Sequence, residues 1–135
     1  MPKYFALLSF VFLTPASQVK AQDSNPPVEM AVKSVSVVKE KTPDGVEARL
    51  LTSQLPPNTS SPWHSHPAPV MIYVLEGAGV WEVEGLPSTS LVAGQATLEP
   101  ANKKTRVVNN DLKQTLKLVL VQMSDPQKPF SVPAK

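Results

Sequence analysis

The stretch WHSHPAPVMIYVLEG, residues 63–77, sets the two histidines of the chain, His64 and His66, directly before a run of strand-forming apolar residues. Side chains two apart on a strand point to the same face, so both histidines share a parity that Val70 and Ile72 continue. Two imidazoles that point the same way are half of a usual metal shell. The stretch therefore predicts a strand that begins with a candidate metal or ligand site.

The rest of the chain consists of short β-rich segments separated by turn residues. After residue 21, no segment repeats apolar residues at helical spacing, and the 15 prolines would interrupt most helices. We predict strands within residues 31–40, 46–55, 70–77, 78–85, 86–94, 95–100, 105–110 and 115–123. Strands of this length, most of them closed by Gly, Pro or Asn-Asp, predict an all-β sandwich or a closed barrel.

Residues 1–21 have the three parts of a cleaved secretory signal peptide. Lys3 supplies a basic start, residues 4–13 are an apolar segment too short to span a bilayer, and residues 19–21 form a small-x-small cleavage site. We therefore expect cleavage after Ala21, a secreted or periplasmic location and no membrane partner after cleavage. The chain has no cysteine, which excludes disulfides and thiolate ligands.

The charge of the mature chain argues against nucleic acid as a partner. The whole sequence carries +2, and without Lys3 and Lys20 its 13 basic residues become 11, equal to its 11 acidic residues. Nucleic acids and anionic membranes need a concentrated basic face, so we expect neither. The remaining length suits one domain. We divide it into a flexible leader at 22–30, a barrel at 31–123 and a Pro-rich tail at 124–135 with too many prolines to pair in a sheet.

The spacing of residues 58–109 resembles the two sequence motifs of the cupin family, whose members are small jelly-roll barrels, also called double-stranded β-helices. The slots of the first family motif, Gly, His-x-His, Glu and Gly, fall on Asn58, His64, His66, Val70 and Gly77. The slots of the second motif, Gly, Pro-x-Gly, His and Asn, fall on Gly94, Pro100, Asn102, Thr105 and Asn109. The resemblance implies the all-β jelly-roll fold.

The departures from these motifs are of two kinds. Asn58 and Asn102 replace turn glycines, and asparagine tolerates the left-handed backbone that such turns require. Val70 replaces the glutamate ligand of the family, and Thr105 replaces its third histidine. We therefore expect preserved turns around an incomplete metal shell.

The same slots predict a mostly apolar cavity in the barrel. Its expected ligand-binding residues are His64, His66, Val70, Ile72, Thr105 and Val107, and its incomplete metal site consists of His64 and His66. A substrate carboxylate or one of Glu76, Glu82 and Glu99 could complete the shell, and strand parity favours Glu76. The cofactor stays open, with a divalent Fe, Mn, Ni, Cu or Zn ion as the candidate. The histidine pair could also hydrogen-bond an organic ligand without a metal, or bond only to backbone and solvent.

Three functions therefore stay open. The first is a small-molecule-binding barrel with a weak or substrate-completed metal site, and the second is the metal-dependent oxygenase or isomerase that the family resemblance implies. The third is a non-catalytic structural or interaction barrel. No residue is identified as catalytic. By analogy with jelly rolls that pair their N-terminal strands, residues 32–40 are a candidate edge for a homodimer.

Overall fold

The computed structural model describes residues 26–30 and 33–135, which form twelve β-strands. The predicted signal peptide and residues 22–25 of the predicted leader lie outside the described residues. The strands are β1 (Val28–Glu29), β2 (Lys33–Lys41), β3 (Glu47–Leu55), β4 (Thr59–Ser60), β5 (His64–Ser65), β6 (Val70–Glu76), β7 (Ala78–Val83), β8 (Thr89–Val92), β9 (Ala96–Glu99), β10 (Thr105–Asn109), β11 (Leu116–Ser124) and β12 (Val132–Pro133). Within this part of the chain, no helix is long and apolar enough to cross a membrane.

Two sheets form the jelly roll, which confirms the predicted fold class. One sheet has the strand order β2-β3-β11-β6-β9. The other has the order β1-β4-β10-β5-β12, and β7 joins β10 to β8. Neighbouring strands are mostly distant in sequence, so the chain crosses repeatedly between the sheets and encloses one interior.

The core lies between the inner faces of the two sheets. Alternating burial along β6 shows why, since every second residue from Val70 to Val74 is buried and Met71 and Tyr73 between them are exposed. The main cluster consists of Leu55, Ile72, Val74, Leu91, Val107, Leu116 and Leu118. The eight longer strands each overlap one predicted segment, because this period-two pattern is local and can be read from the sequence.

The two asparagines that replace glycines in the motifs adopt the left-handed backbone. Asn58 has φ of 52° and Asn102 has φ of 57°. Both lie at turns that lead into site-bearing segments, where the asparagine side chain costs less than any other non-glycine residue. The turns of the family architecture are therefore preserved despite both substitutions.

Asn109 ties the end of β10 to two loops. Its buried amide group, Nδ2, lies 3.0, 2.9 and 2.8 Å from the carbonyl oxygens of Leu55, Pro56 and Gln114. Next to it, the backbone N–H groups of Gln114 and Lys113 donate to the Asp111 carboxylate and lower its pKa. The last slot of the second motif thus has a structural role.

The tail and the leader both differ from expectation. Val132 and Pro133 form β12, which pairs with Ser65 and His64 of β5, so the expectation that the tail is too rich in proline to pair is wrong. Proline is tolerated there because β12 is an edge strand with a free side. The end of the predicted leader also pairs, since β1 runs parallel to β4.

Strand β2 is one edge of the five-stranded sheet, and all nine of its residues are exposed. Its exposed apolar residues are Val35, Val37 and Val38. The homodimer expected through this edge stays a prediction.

Gly77 is a turn position that only glycine fits. Its φ is 81°, and a Cβ atom placed there would lie 2.8 Å from the backbone oxygen of Thr115. Gly45 has a similar φ of 85° but open space around its Cα.

We expect Gly45→Ala to lower the free energy of unfolding by about 1 kcal/mol, because of backbone strain. We expect Gly77→Ala to lower it by about 1–3 kcal/mol more, because the added Cβ would also contact Thr115. Urea denaturation of both variants measures the difference, and equal losses would contradict the close packing of this turn.

Candidate metal centre

The two histidines lie where three short strands meet. His64 begins β5 and pairs with Thr105 of β10 on one side and with Pro133 of β12 on the other. His66 follows β5 and is buried, with 2% of its surface exposed. Their rings are 4.9 Å apart and nearly perpendicular.

Backbone carbonyls orient both imidazoles in the same way. Nδ1 of His64 lies 2.8 Å from the carbonyl oxygen of Pro62, and Nδ1 of His66 lies 2.8 Å from that of Phe130. A carbonyl oxygen only accepts hydrogen bonds, so each Nδ1 carries a proton and donates it. Each Nε2 is therefore the nitrogen left to bind a metal, and a carbonyl behind the ring is the usual support of metal-binding histidines.

Glu99 brings a carboxylate to the histidine pair. It ends β9 with 2% of its surface exposed, and its Oε2 lies 3.0 Å from Nε2 of His66. Together, His64, His66 and Glu99 offer three ligand atoms that all lie within 4.8 Å of one another. Two histidines and one carboxylate form a ligand set that divalent Zn and non-haem Fe both use.

The geometry around His66 fits a bound cation. Because Nδ1 already donates to Phe130, the 3.0 Å contact between Nε2 and the Glu99 carboxylate needs one proton between two atoms that otherwise both accept. A metal ion would replace that proton and satisfy both atoms, together with Nε2 of His64. The donors present therefore fit a divalent transition metal.

Thr105 supports the carboxylate from behind. Its hydroxyl lies 3.2 Å from Oε1 of Glu99 and 2.9 Å from the carbonyl oxygen of Glu82, and it accepts the indole N–H of Trp81. Thr105 occupies the slot of the third family histidine. Here its hydroxyl contacts the candidate ligand Glu99.

Strand register explains why Glu99 reaches the site. Val70 pairs with Glu99 across β6 and β9, and both are buried on the inner face. The carboxylate that the family places on β6 is thus supplied from one strand away. Of the three carboxylates that could complete the pair of His64 and His66, Glu99 is therefore the one that lies beside it.

The other two candidate carboxylates, Glu76 and Glu82, form ion pairs away from the histidines. Glu76, which parity favoured, is exposed and its carboxylate is 2.8 Å from Nζ of Lys117. A register shift between Lys117 and Leu118 of β11, opposite the end of β6, disturbs the alternation there, and local periodicity does not show such shifts. Glu82 is paired with Arg106, at 2.7 Å.

A cavity of about 290 Å³ adjoins the three ligands. Of the predicted ligand-binding residues, His64, His66, Ile72 and Val107 line it, whereas Val70 and Thr105 are buried but do not. Sequence reasoning missed Phe130, which lines the cavity and packs edge-on against the His66 ring at 4.9 Å. An aromatic residue in a Pro-rich tail gives no periodic signal, so only the fold brings it here.

Trp63 also lines the cavity, near its surface. The guanidinium of Arg106 and Nζ of Lys104 lie 4.8 and 5.7 Å from its ring centre. Neither cation lines the cavity, and cation–π attraction to both holds the Trp63 ring in place.

Comparison with known families agrees with the motifs. Residues 51–122 match the cupin domain family, which is more than half of the chain. The protein therefore belongs to the cupin family. No curated protein sequence matches it significantly.

Solved structures show the same fold at low sequence identity. An uncharacterized conserved protein with a double-stranded beta-helix domain from Klebsiella pneumoniae has 15% identity and a TM-score of 0.63, with 78% of this chain and 86% of that chain covered. A cupin-like protein from Thermotoga maritima has 22% identity and a TM-score of 0.59, with coverages of 76% and 75%.

A DMSP lyase from Ruegeria pomeroyi is similarly close, with 19% identity and a TM-score of 0.63 over 77% of this chain. The match covers 52% of the lyase, so this chain spans about half of that protein's length. These likenesses establish the fold.

The ligand set predicts the outcome of a matched pair of substitutions. Glu99→Gln keeps the size of the side chain but removes its charge, so we expect Co²⁺ or Zn²⁺ affinity to fall at least about tenfold, as for losses at supporting groups of metal sites. Glu76→Gln makes the same change outside the cavity and should leave affinity unchanged. Isothermal titration with each metal measures both. Wild-type affinity in Glu99→Gln would show that Glu99 is no ligand.

Proposed function

We propose that this cupin binds a divalent transition metal through His64, His66 and Glu99 and holds a small organic molecule beside it. The observation that carries the proposal is the convergence of three ligand atoms within 4.8 Å, two of them on imidazoles whose Nδ1 atoms are held by carbonyls. Three protein ligands leave open positions on a metal, where water or a ligand can bind. A bound metal would supply a Lewis acid and an anchoring point there.

The cavity lining indicates the chemistry of the molecule. Besides the three candidate ligands, the cavity is lined by apolar and aromatic side chains and by hydroxyls such as those of Ser34, Ser53 and Ser61. Among the described residues, no Lys or Arg lines it. A second anionic group on the ligand would therefore be buried without a partner, which is costly.

The charge of the site favours a monoanion. A divalent ion together with the Glu99 carboxylate leaves one net positive charge in a mostly apolar cavity. One carboxylate on the ligand would cancel that charge, and its apolar body would then contact Leu55, Ile72 and Leu118. We therefore propose small monocarboxylates with apolar bodies as the ligand class.

Cavity filling tests this binding. The metal-loaded protein should be stabilised by isovalerate or benzoate, seen as a rise in Tm, and less by succinate with its second carboxylate. Ile72→Trp fills the cavity and should abolish the rise, whereas Tyr73→Trp, on the outer face of the same strand, should keep it. No stabilisation by any monocarboxylate, or an unchanged rise in Ile72→Trp, would argue against this ligand class.

A metal-dependent enzyme is the second candidate. It is supported by the open coordination positions that three protein ligands leave and by the fold shared with a DMSP lyase, although the match covers 52% of that lyase. Incubating the metal-loaded protein with DMSP and following its consumption by NMR separates the two candidates. Turnover that Glu99→Gln abolishes would favour the enzyme, and binding without turnover would favour the binding protein.

The purely structural barrel is the weakest candidate. It requires an interior filled by side chains such as Ile72, Val74 and Val107, and a cavity is present beside His64 instead.

Export of the chain is proposed from residues 1–21 alone. An exported chain that begins at Gln22, measured by mass spectrometry, would support it, and an uncleaved chain would not.

A further inference from the structure

The C-terminal residues 128–134, which we call the C-terminal strap, run past the candidate metal centre, where the Phe130 ring packs against His66 and Pro133 pairs with His64. The carbonyl oxygen of Phe130 accepts the proton on Nδ1 of His66 at 2.8 Å. The position of this single carbonyl decides which nitrogen of the buried His66 ring faces Glu99. The residues that hold the strap therefore also determine whether Nε2 of His66 faces the position of a metal.

Two buried polar side chains hold the strap from the barrel side. Nε2 of Gln122 donates to the same Phe130 carbonyl at 3.1 Å and to that of Ala68 at 3.2 Å. Nη2 of Arg49 donates to the carbonyl oxygen of Lys128 at 2.8 Å, and its Nη1 donates to Oε1 of Gln122 at 3.2 Å. Arg49 and Gln122 thus act on the strap together.

The cost of burying these groups indicates that they serve a purpose beyond packing. Gln122 has no exposed surface, and Arg49 has 7% exposed with its charge balanced by the buried Glu47. Buried ion pairs of this kind add little net stability compared with apolar residues of similar size. They do fix geometry when they are hydrogen-bonded, and here each guanidinium nitrogen of Arg49 has an acceptor and Nε2 of Gln122 has two.

Strand pairing places Arg49 and Gln122 beside the candidate metal centre. Arg49 pairs with Gln122 across β3 and β11, Gln122 pairs with Val70 across β11 and β6, and Val70 pairs with Glu99. One inner row therefore runs from Arg49 to Glu99. The strap crosses over this row, and its far end is fixed by β12 and by the Ala134 N–H, which donates to the carbonyl of Trp63 at 3.0 Å.

The geometry points to Gln122 and Arg49 as positioning residues for the metal centre. They hold the Phe130 carbonyl behind His66, so that Nδ1 keeps its proton and Nε2 faces the metal. Neither residue is a ligand. This inference rests on the proposed metal function for its consequence, but the orientation of the His66 ring can be measured without any metal.

Two substitutions remove the hydrogen bonds of Gln122 and Arg49 to the strap and change the size of each side chain little. Gln122→Met keeps the length of the side chain and removes both donors to the strap. Arg49→Lys keeps a positive charge opposite Glu47 but lacks the planar fork that bonds Gln122 and Lys128 together. Val74→Ala is the control, because Val74 is a fully buried core residue of β6 that does not line the cavity.

NMR of the His66 ring tests the positioning role, because the loss of a residue that only stabilises the fold would not change the Hδ1 resonance. With two histidines in the chain, the imidazole N–H region is simple, and His64→Gln assigns it. Without metal, the wild type should show a solvent-protected Hδ1 resonance from His66. We expect Gln122→Met to lose this resonance to solvent exchange, Arg49→Lys to weaken it and Val74→Ala to keep it.

Co²⁺ titration gives the functional readout. We expect Gln122→Met and Arg49→Lys each to weaken Co²⁺ affinity, by about tenfold to a hundredfold for Gln122→Met, as for other supporting groups of metal sites. The double variant should lose less than the two single losses combined, because both act through one strap.

The outcomes separate the two proposals. A protected Hδ1 and wild-type Co²⁺ affinity in both variants would overturn the positioning role, and so would a loss in Val74→Ala equal to that in Gln122→Met. If the wild type binds no Co²⁺ but Gln122→Met loses the Hδ1 resonance, the positioning role stands and the proposed metal function fails. If Gln122→Met does not fold, Arg49→Lys decides by the same two measurements.

Discussion

The contact between His66 and Glu99 is the interaction on which the rest of this site depends. His66 is held between an acceptor on each side, the Phe130 carbonyl at Nδ1 and the Glu99 carboxylate at Nε2. Because Nδ1 already donates to Phe130, Nε2 and the Glu99 carboxylate require a proton or a cation between them, since otherwise two buried acceptor atoms would face each other. A chain that lacks two of the family's four ligands thus still brings three possible metal ligands together.

The site keeps the ligand chemistry of its family but changes which strand supplies it. Val70 and Glu99 are neighbours in one inner row, so moving the carboxylate from β6 to β9 shifts it by about 5 Å, the separation of adjacent strands. Thr105, in the slot of a lost histidine, then supports the moved carboxylate and connects it to Trp81. Both departures from the motif therefore border Glu99, Val70 as its strand partner and Thr105 through its hydroxyl.

Local sequence patterns predicted the features that depend on nearest neighbours. Strand alternation identified the eight longer strands, and the tolerance of asparagine for positive φ identified the turns at Asn58 and Asn102. From the sequence, Glu99 is only one of three candidate carboxylates, and parity favours Glu76. The pairing between β6 and β9 and the register shift in β11 are not encoded in any one segment. Phe130 was missed for the same reason, since the strap reaches His66 only through contacts across the barrel.

An anomalous diffraction map of crystals grown with Zn²⁺ tests the proposed metal site at His64, His66 and Glu99 most directly. We predict a single strong peak within bonding distance of Nε2 of both histidines and of the Glu99 carboxylate, with the Phe130 carbonyl still bonded to Nδ1 of His66. A metal bound at another place, or Glu99 still paired with His66 and no metal peak in the site, would contradict the account.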